Sequence, residues 1–393
     1  MKIKNILLIL LIITPGCKDE FLLELKNYEP IMVVEGLISN EPGPYTIKLS
    51  FAIPINETLE IPFEGCTVTL FENTDKSEVL TEKEPGLYVT SETGIQGVIG
   101  NKYRISIITP EGLEYETEFQ EMKEPVEIES VYAELIHLEK EGFQPFGLPG
   151  YQFYTDTKTA SSQYNYLLWK MIETYEYTND YVLYDIYFGI PKLDTNHLLR
   201  DPIIENYRNN LFRCWKTQNI NYIFTGKTSN LTIPKITGQP LYFVGTNSKR
   251  LQERYSLLLK QYTIGEDAFH FWNNVEKQST EENFLIVNQP CNIIGNIKNK
   301  NNPDEIIYGY FTTASVTQKR IFVDRPKERF YYDICTLVTD PSSIAEIYKD
   351  ATPPFYLIEA SNVYGFGVLR FEYCVNCTLS GGSNIKPDFW VDK

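Results

Sequence analysis

The chain has 393 residues, 42% of them hydrophobic, and carries 52 Asp and Glu against 36 Lys and Arg, for a formal net charge of −16. Phosphate backbones and anionic lipid headgroups repel such a surface, which argues against nucleic-acid binding and against docking to a membrane through a basic face. The length allows two or three domains, and the 28 Tyr and 22 Phe favour strands.

In chain order, Lys2 and Lys4 precede an unbroken apolar run from Ile6 to Ile13, followed by Thr14-Pro15-Gly16 and Cys17. This is the layout of a bacterial export signal, and the run is too short to span a bilayer. A small residue directly before a cysteine marks a lipoprotein signal, because the thiol takes the lipid. Gly16-Cys17 fits, whereas Thr14 departs from the usual leucine. The expectation is a signal peptide over 1–16, lipid attachment at Cys17 and a tether over 17–29. Loss of two lysines and no acid takes the mature charge from −16 to −18. An N-terminal core element with a buried thiol is the alternative. Lys18, Asp19 and Glu20 resemble the acidic export tag of Bacteroidetes surface lipoproteins, which predicts the outer face of the outer membrane. A solvated tether facing the periplasm is the other reading. In both, lipid rather than a helix is the anchor.

Residues 30–124 read as an immunoglobulin-like β-sandwich. "PYTIKLSF" places Tyr45, Ile47, Leu49 and Phe51 on one face and Thr46, Lys48 and Ser50 on the other, the alternation of a half-buried strand. "IMVVEGLIS", "CTVTLFEN", "GLYVTSE", "KYRISIIT" and "LEYETEF" follow suit between turn clusters, and "TPEG", Thr109 to Gly112, reads as a hairpin.

Residues 125–393 read as a larger β-rich domain packed against the first. "SVYAELI", "YQFYT", "YNYLLWKMIETYEY" and "YVLYDIYFG" are aromatic-rich strand candidates, and about 191–235 looks less regular. Near 250–277 the period changes: Leu251, Tyr255, Leu258, Leu259 and Tyr262, then Ala268, Phe271, Trp272 and Val275, recur at helical spacing on either side of Gly265. Two amphipathic helices are expected there. Strands return with "CNIIGNIK", "IIYGYFTTASVTQKRIFV", "FYLIEA" and "VLRFEYC", and Asp340-Pro341-Ser342 reads as the cap of a short helix.

Six cysteines follow Cys17, and export permits disulfides, but spacing does not give their pairing. Cys374-Val375-Asn376-Cys377 invites a zinc or redox reading. Structural zinc needs a second ligand pair at similar spacing, and a redox dithiol a strand running into a helix; neither context is present. No metal or cofactor is expected. Of the three histidines, His270 reads as a partly buried structural residue and His197 as part of a polar loop. Asn299 to Glu305 is dense in oxygen ligands for calcium but reads as a solvated hairpin loop. The sequence has no HExxH, GxSxG, phosphate-loop or EF-hand pattern, so no catalytic residue is assigned.

"IMVVEGLISNEPGPYTIKLS", "GVIGNKYRISIITPEGLEYETEFQEMKEPVEIESVY", "RYSLLLKQYTIGEDAFHFWNNV", "QPCNIIGNI", "IIYGYFTTASV" and "CVNCTLSGGSNIKPDFW" resemble, in order, segments of the domain-of-unknown-function family 4249 of Bacteroidetes outer-membrane lipoproteins. The resemblance implies a companion of a TonB-dependent receptor and carries over no catalytic residue. It also implies that Cys214, Cys335, Cys374 and Cys377 are family features that form disulfides among themselves, whereas Cys66 and Cys291 depart from the family pattern. The expected function is a non-catalytic surface lipoprotein that captures a glycan or peptide ligand or covers a transporter. A structural or assembly lipoprotein is the alternative, and a surface hydrolase a third reading.

Overall fold

The computed structural model describes residues 30–52, 61–143, 145–160, 164–187, 202–229, 231–280, 293–340, 342–343, 346–347, 354–359 and 366–392. The protein is mainly β, built around one nine-stranded sheet whose order is Arg213–Lys227, Tyr166–Thr178, Arg254–Ile264, Tyr308–Asp324, Met32–Ser39, Thr46–Phe51, Leu87–Val89 and Thr81–Glu84, with Ile61–Pro62 added beside Thr46–Phe51. Met32–Ser39 runs parallel to Tyr308–Asp324. This pairing carries the sheet across residue 124, so the sandwich read over 30–124 shares its central sheet with the later chain. It also borrows Ile297–Asn299, which pairs with Glu114–Thr117.

Alternation decides what each face of the sheet meets. Val34, Ile47 and Leu49 point to one face and pack with Val68, Leu70, Ile105 and Ile107 of a six-stranded sheet, closing the N-terminal sandwich. Further along that face, Trp169, Met171, Tyr255, Leu257 and Leu259 pack on Phe153, Leu241 and Val244. These last three belong to a three-stranded sheet of Ile128–Leu138, Leu148–Thr157 and Gln239–Gly245. The other face of the central sheet carries helix at one end and C-terminal chain at the other. There Phe322 meets Trp390 edge-on at 5.4 Å and Arg320 lies 3.6 Å over the Phe389 ring. A third small sheet of Leu183–Tyr187, Phe355–Glu359 and Phe366–Leu369 packs with helix α1, Pro202–Asn209.

Three expectations are corrected. Residues 254–264 form a central strand where a helix was expected over Leu251 to Tyr262. Both of its faces are covered, so Leu257 and Leu259 serve one core and Tyr262 the other. The apolar run of a doubly buried strand imitates helical spacing. The stretch read as irregular holds α1 and the long strand Arg213–Lys227. The second expected helix is present as α2, Glu266–Thr280, with Glu266 and Asp267 in its first turn and Lys277 in its last, matching the helix dipole. On it Ala268, Phe269, Phe271 and Trp272 pack on the sheet, while His270 faces solvent 3.8 Å from Glu266 rather than being partly buried. The Thr109–Gly112 hairpin is formed, and Asp340 accepts the Ser343 amide at 2.9 Å as the cap of the helical residues 342–343.

Candidate functional site

Where α2 lies along the central sheet it leaves a trough of about 660 Å³ between its flank and the strands. The floor follows from alternation: Glu35 and Leu37, Leu168 and Lys170, and Tyr310 and Thr312 each lie two residues apart and therefore share one face. In the parallel pair, Glu35 sits beside Tyr310 and Leu37 beside Thr312, which brings the N-terminal and C-terminal halves of the chain together in the floor. Phe271, Trp272 and Val275 of α2 make the wall. The trough is concave and mostly apolar with a few polar groups, and its volume lies in the range that encloses a small ligand.

Its rings are fixed in place. The Trp272 indole N–H donates to Thr312 Oγ1 at 3.2 Å, and the Phe271 and Tyr310 rings are 4.8 Å apart. Burial holds the Tyr262 and Tyr310 phenols above their usual range, with Glu41 adding to the first effect and Asp267 to the second. Beside Tyr262, Lys260 is paired with Glu41 at 2.8 Å. Lys170 has no such partner: among the described residues its ammonium makes no hydrogen bond or ion pair, and it lies 4.8 Å from the centre of the Trp272 ring. Burial pushes its pKa below the usual lysine range, against the opposing field of Glu35. Across α2, a second hollow of about 440 Å³ shares Phe271 and Tyr310 and is edged by Asp267 and His270.

The residues singled out from sequence lie elsewhere. Cys17, Lys18, Asp19, Glu20, His197 and Cys291 fall outside the described residues. Cys214 is bonded to Cys377 and Cys335 to Cys374, so the two cysteines of the CVNC stretch serve separate disulfides and the zinc and redox readings lapse. Cys66 is a buried free thiol whose pKa burial pushes up to about 11. His137 faces Glu328 at 3.6 Å. In the Asn299–Glu305 loop, Asn299 Oδ1 accepts the amides of Asn301 and Asn302, and Glu305 accepts from Tyr115 and Asn299, so these oxygens are occupied within the loop and its base. Among the described residues, no group of three or more His, Cys, Asp or Glu side chains is arranged to hold a metal, and no helix is long and apolar enough to cross a membrane.

Sequence reading missed Lys170, Glu35 and the trough itself. Their only signal is cross-strand register between segments far apart in the chain, which periodicity within one segment does not carry.

No curated protein matches the chain. The profile described as Domain of unknown function (DUF4249) matches residues 18–320, beginning directly after Cys17 and ending inside the Tyr308–Asp324 strand. The CVNC segment, quoted above among the resemblances, lies beyond that span. With well over half of its length matched, the chain belongs to the DUF4249 family.

Proposed function

We propose that the protein is a non-catalytic lipoprotein, anchored through Cys17 on the outer face of the outer membrane, that captures a ligand as an accessory of a TonB-dependent transporter. The observation that carries the reading is the trough: a concave, aromatic-walled site of ligand size built on the rigid centre of the largest sheet. The export signal and acidic tag support the location, and the family resemblance supports the partner. Among the described residues that line it, no polar side chains converge in the pattern of a nucleophile with its base, which favours capture over catalysis.

The second reading, an assembly lipoprotein that binds an outer-membrane protein and no small ligand, draws on the C-terminal segment. Phe371 and Tyr373 stack at 5.3 Å while both are about half exposed, and Leu379 and Ile385 are exposed nearby in the chain. Exposed apolar side chains of this kind suit a protein partner.

The test is recovery of the tagged, detergent-extracted protein from its native outer membrane, with co-purifying proteins identified by mass spectrometry. Stoichiometric recovery of a TonB-dependent receptor is the expected result. Recovery of a different outer-membrane protein favours the assembly reading, and recovery of the lipoprotein alone overturns the stable-accessory form of the proposal.

A further inference from the structure

We infer that the trough takes an organic carboxylate, whose anionic group pairs with the Lys170 ammonium and whose body lies along the Trp272 indole. The inference rests on the capture reading and names the ligand class for that site.

The argument starts from what Lys170 lacks. An ammonium drawn away from water is costly unless a counter-charge and hydrogen-bond acceptors replace the lost solvent. Lys260, on the neighbouring strand and directly opposite Lys170, has such a partner in Glu41. Lys170 has the face of Trp272 and the field of Glu35 without an ion pair, and its three N–H donors make no bond to any described residue. A cation–π contact satisfies the charge in part and leaves the donors to be met. The ring in turn is held by Thr312, so the pair forms a fixed corner of cation and flat apolar surface.

Charge and shape then narrow the occupant. A phosphate dianion needs several cations or a run of backbone amides. The trough offers Lys170 near its floor, Lys48 as a second lining cation and the exposed carboxylate Glu35, all within a strongly acidic protein. A singly charged carboxylate matches that balance. The apolar floor residues Leu37 and Leu168 and the wall residues Phe271 and Trp272 ask for a body with a hydrophobic or planar face, and the volume suits two or three sugar or amino-acid units. Two sources share this chemistry, a uronic-acid sugar and the C terminus of a short peptide.

Calorimetric titration of the full chain separates them. The probes are galacturonate with its methyl ester, and Gly-Leu-Tyr with its C-terminal amide. One acid form is expected to bind about 30-fold or more tightly than its neutral partner, and the pair that shows the difference identifies the source. Lys170→Met removes that preference, and Lys170→Arg keeps it within about threefold. Methionine replaces a desolvated charge with an apolar side chain, so the variant's melting temperature is expected not to fall. The comparison of acid with ester or amide on the unaltered protein needs no variant at all. Equal binding of acid and neutral forms, or acid binding unchanged in Lys170→Met, overturns the carboxylate assignment and leaves ligand capture standing. Binding of none of the four probes at about 1 mM overturns both the assignment and capture in this trough.

Discussion

Glu72 shows how a single buried charge can be worth keeping in a chain already rich in acids. Its side chain is almost wholly buried, and burial alone would raise its pKa. Hydrogen bonds from Thr74, Asn101 at 2.8 Å and Tyr103 at 3.1 Å, with Lys76 at 3.1 Å, reverse that and hold it down at about 2. Because the folded value lies below the ordinary carboxylate value, the stabilisation is complete above about pH 5 and is lost as pH falls through 2. At about 1.4 kcal/mol per unit, it amounts to about 3 kcal/mol. Glu72→Gln is therefore expected to lower stability at pH 7 by about 2–3 kcal/mol and to flatten the decline between about pH 5 and pH 2. Urea titrations across that range check it, and parallel pH profiles for the two proteins would refute the assignment. None of this was legible in the sequence, where Glu72 is one of 52 acids. The alternation of "CTVTLFEN" does put Glu72 on the same face as Val68 and Leu70, but its partners come from other turns and strands.

At the scale of elements, the legible parts were those whose two faces differ. Thr46–Phe51, Thr67–Glu72 and Lys102–Ile108 alternate between core and surface, and α2 has one packed stripe. Arg254–Ile264 was misread because its surroundings bury both faces, which removes the period that separates strand from helix. The parallel pairing of Met32–Ser39 with Tyr308–Asp324 could not be read either, since parallel strands joined by a long crossover leave no local mark beyond small residues at close approaches. Gly309 is such a residue. It lies opposite Val34 with φ of +83°, and a Cβ there would stand 2.0 Å from the Val34 carbonyl oxygen. Gly309→Ala is expected to cost about 2–4 kcal/mol, by combining a left-handed backbone with a clash against the neighbouring strand. Hydrogen exchange should then show lost protection first in residues 32–39 and 308–314. A variant with unchanged melting and unchanged exchange would mean that this strand pair does not join the two halves.

The whole molecule is one sheet serving several cores, and the family match ends at residue 320 while the chain still has its last strands and all but one disulfide cysteine to add. What ties that remainder to the sheet is covalent first and packed second. Cys377 is bonded to Cys214 in the edge strand, which makes that tie, and Cys374 to Cys335 within the remainder itself, closing sequence separations of 163 and 39 residues. By loop-closure entropy these are worth up to about 5 and 4 kcal/mol. Around them, the Tyr177 hydroxyl donates to the Cys377 carbonyl at 2.6 Å, Trp215 and Ser383 exchange backbone hydrogen bonds, and Arg254 donates to the Val391 carbonyl at 2.6 Å. Residues 366–375 also pack through Leu369 and Val375 with Leu183 and Ile204, so the cross-link to Cys214 matters most for the stretch that follows Cys377. Loss of the Cys214–Cys377 bond in a Cys214→Ser/Cys377→Ser variant is expected to release residues 378–392 before the sheet melts. Limited proteolysis should then cut the C-terminal segment under conditions in which the unaltered chain resists, while the core containing residues 30–280 survives. Binding in the trough should persist, because its lining residues all lie between 35 and 312. If proteolysis instead consumes the chain throughout, the bond stabilises the fold as a whole, and the C-terminal segment is an integral part of the sheet's cooperative unit rather than a strap across one end of it.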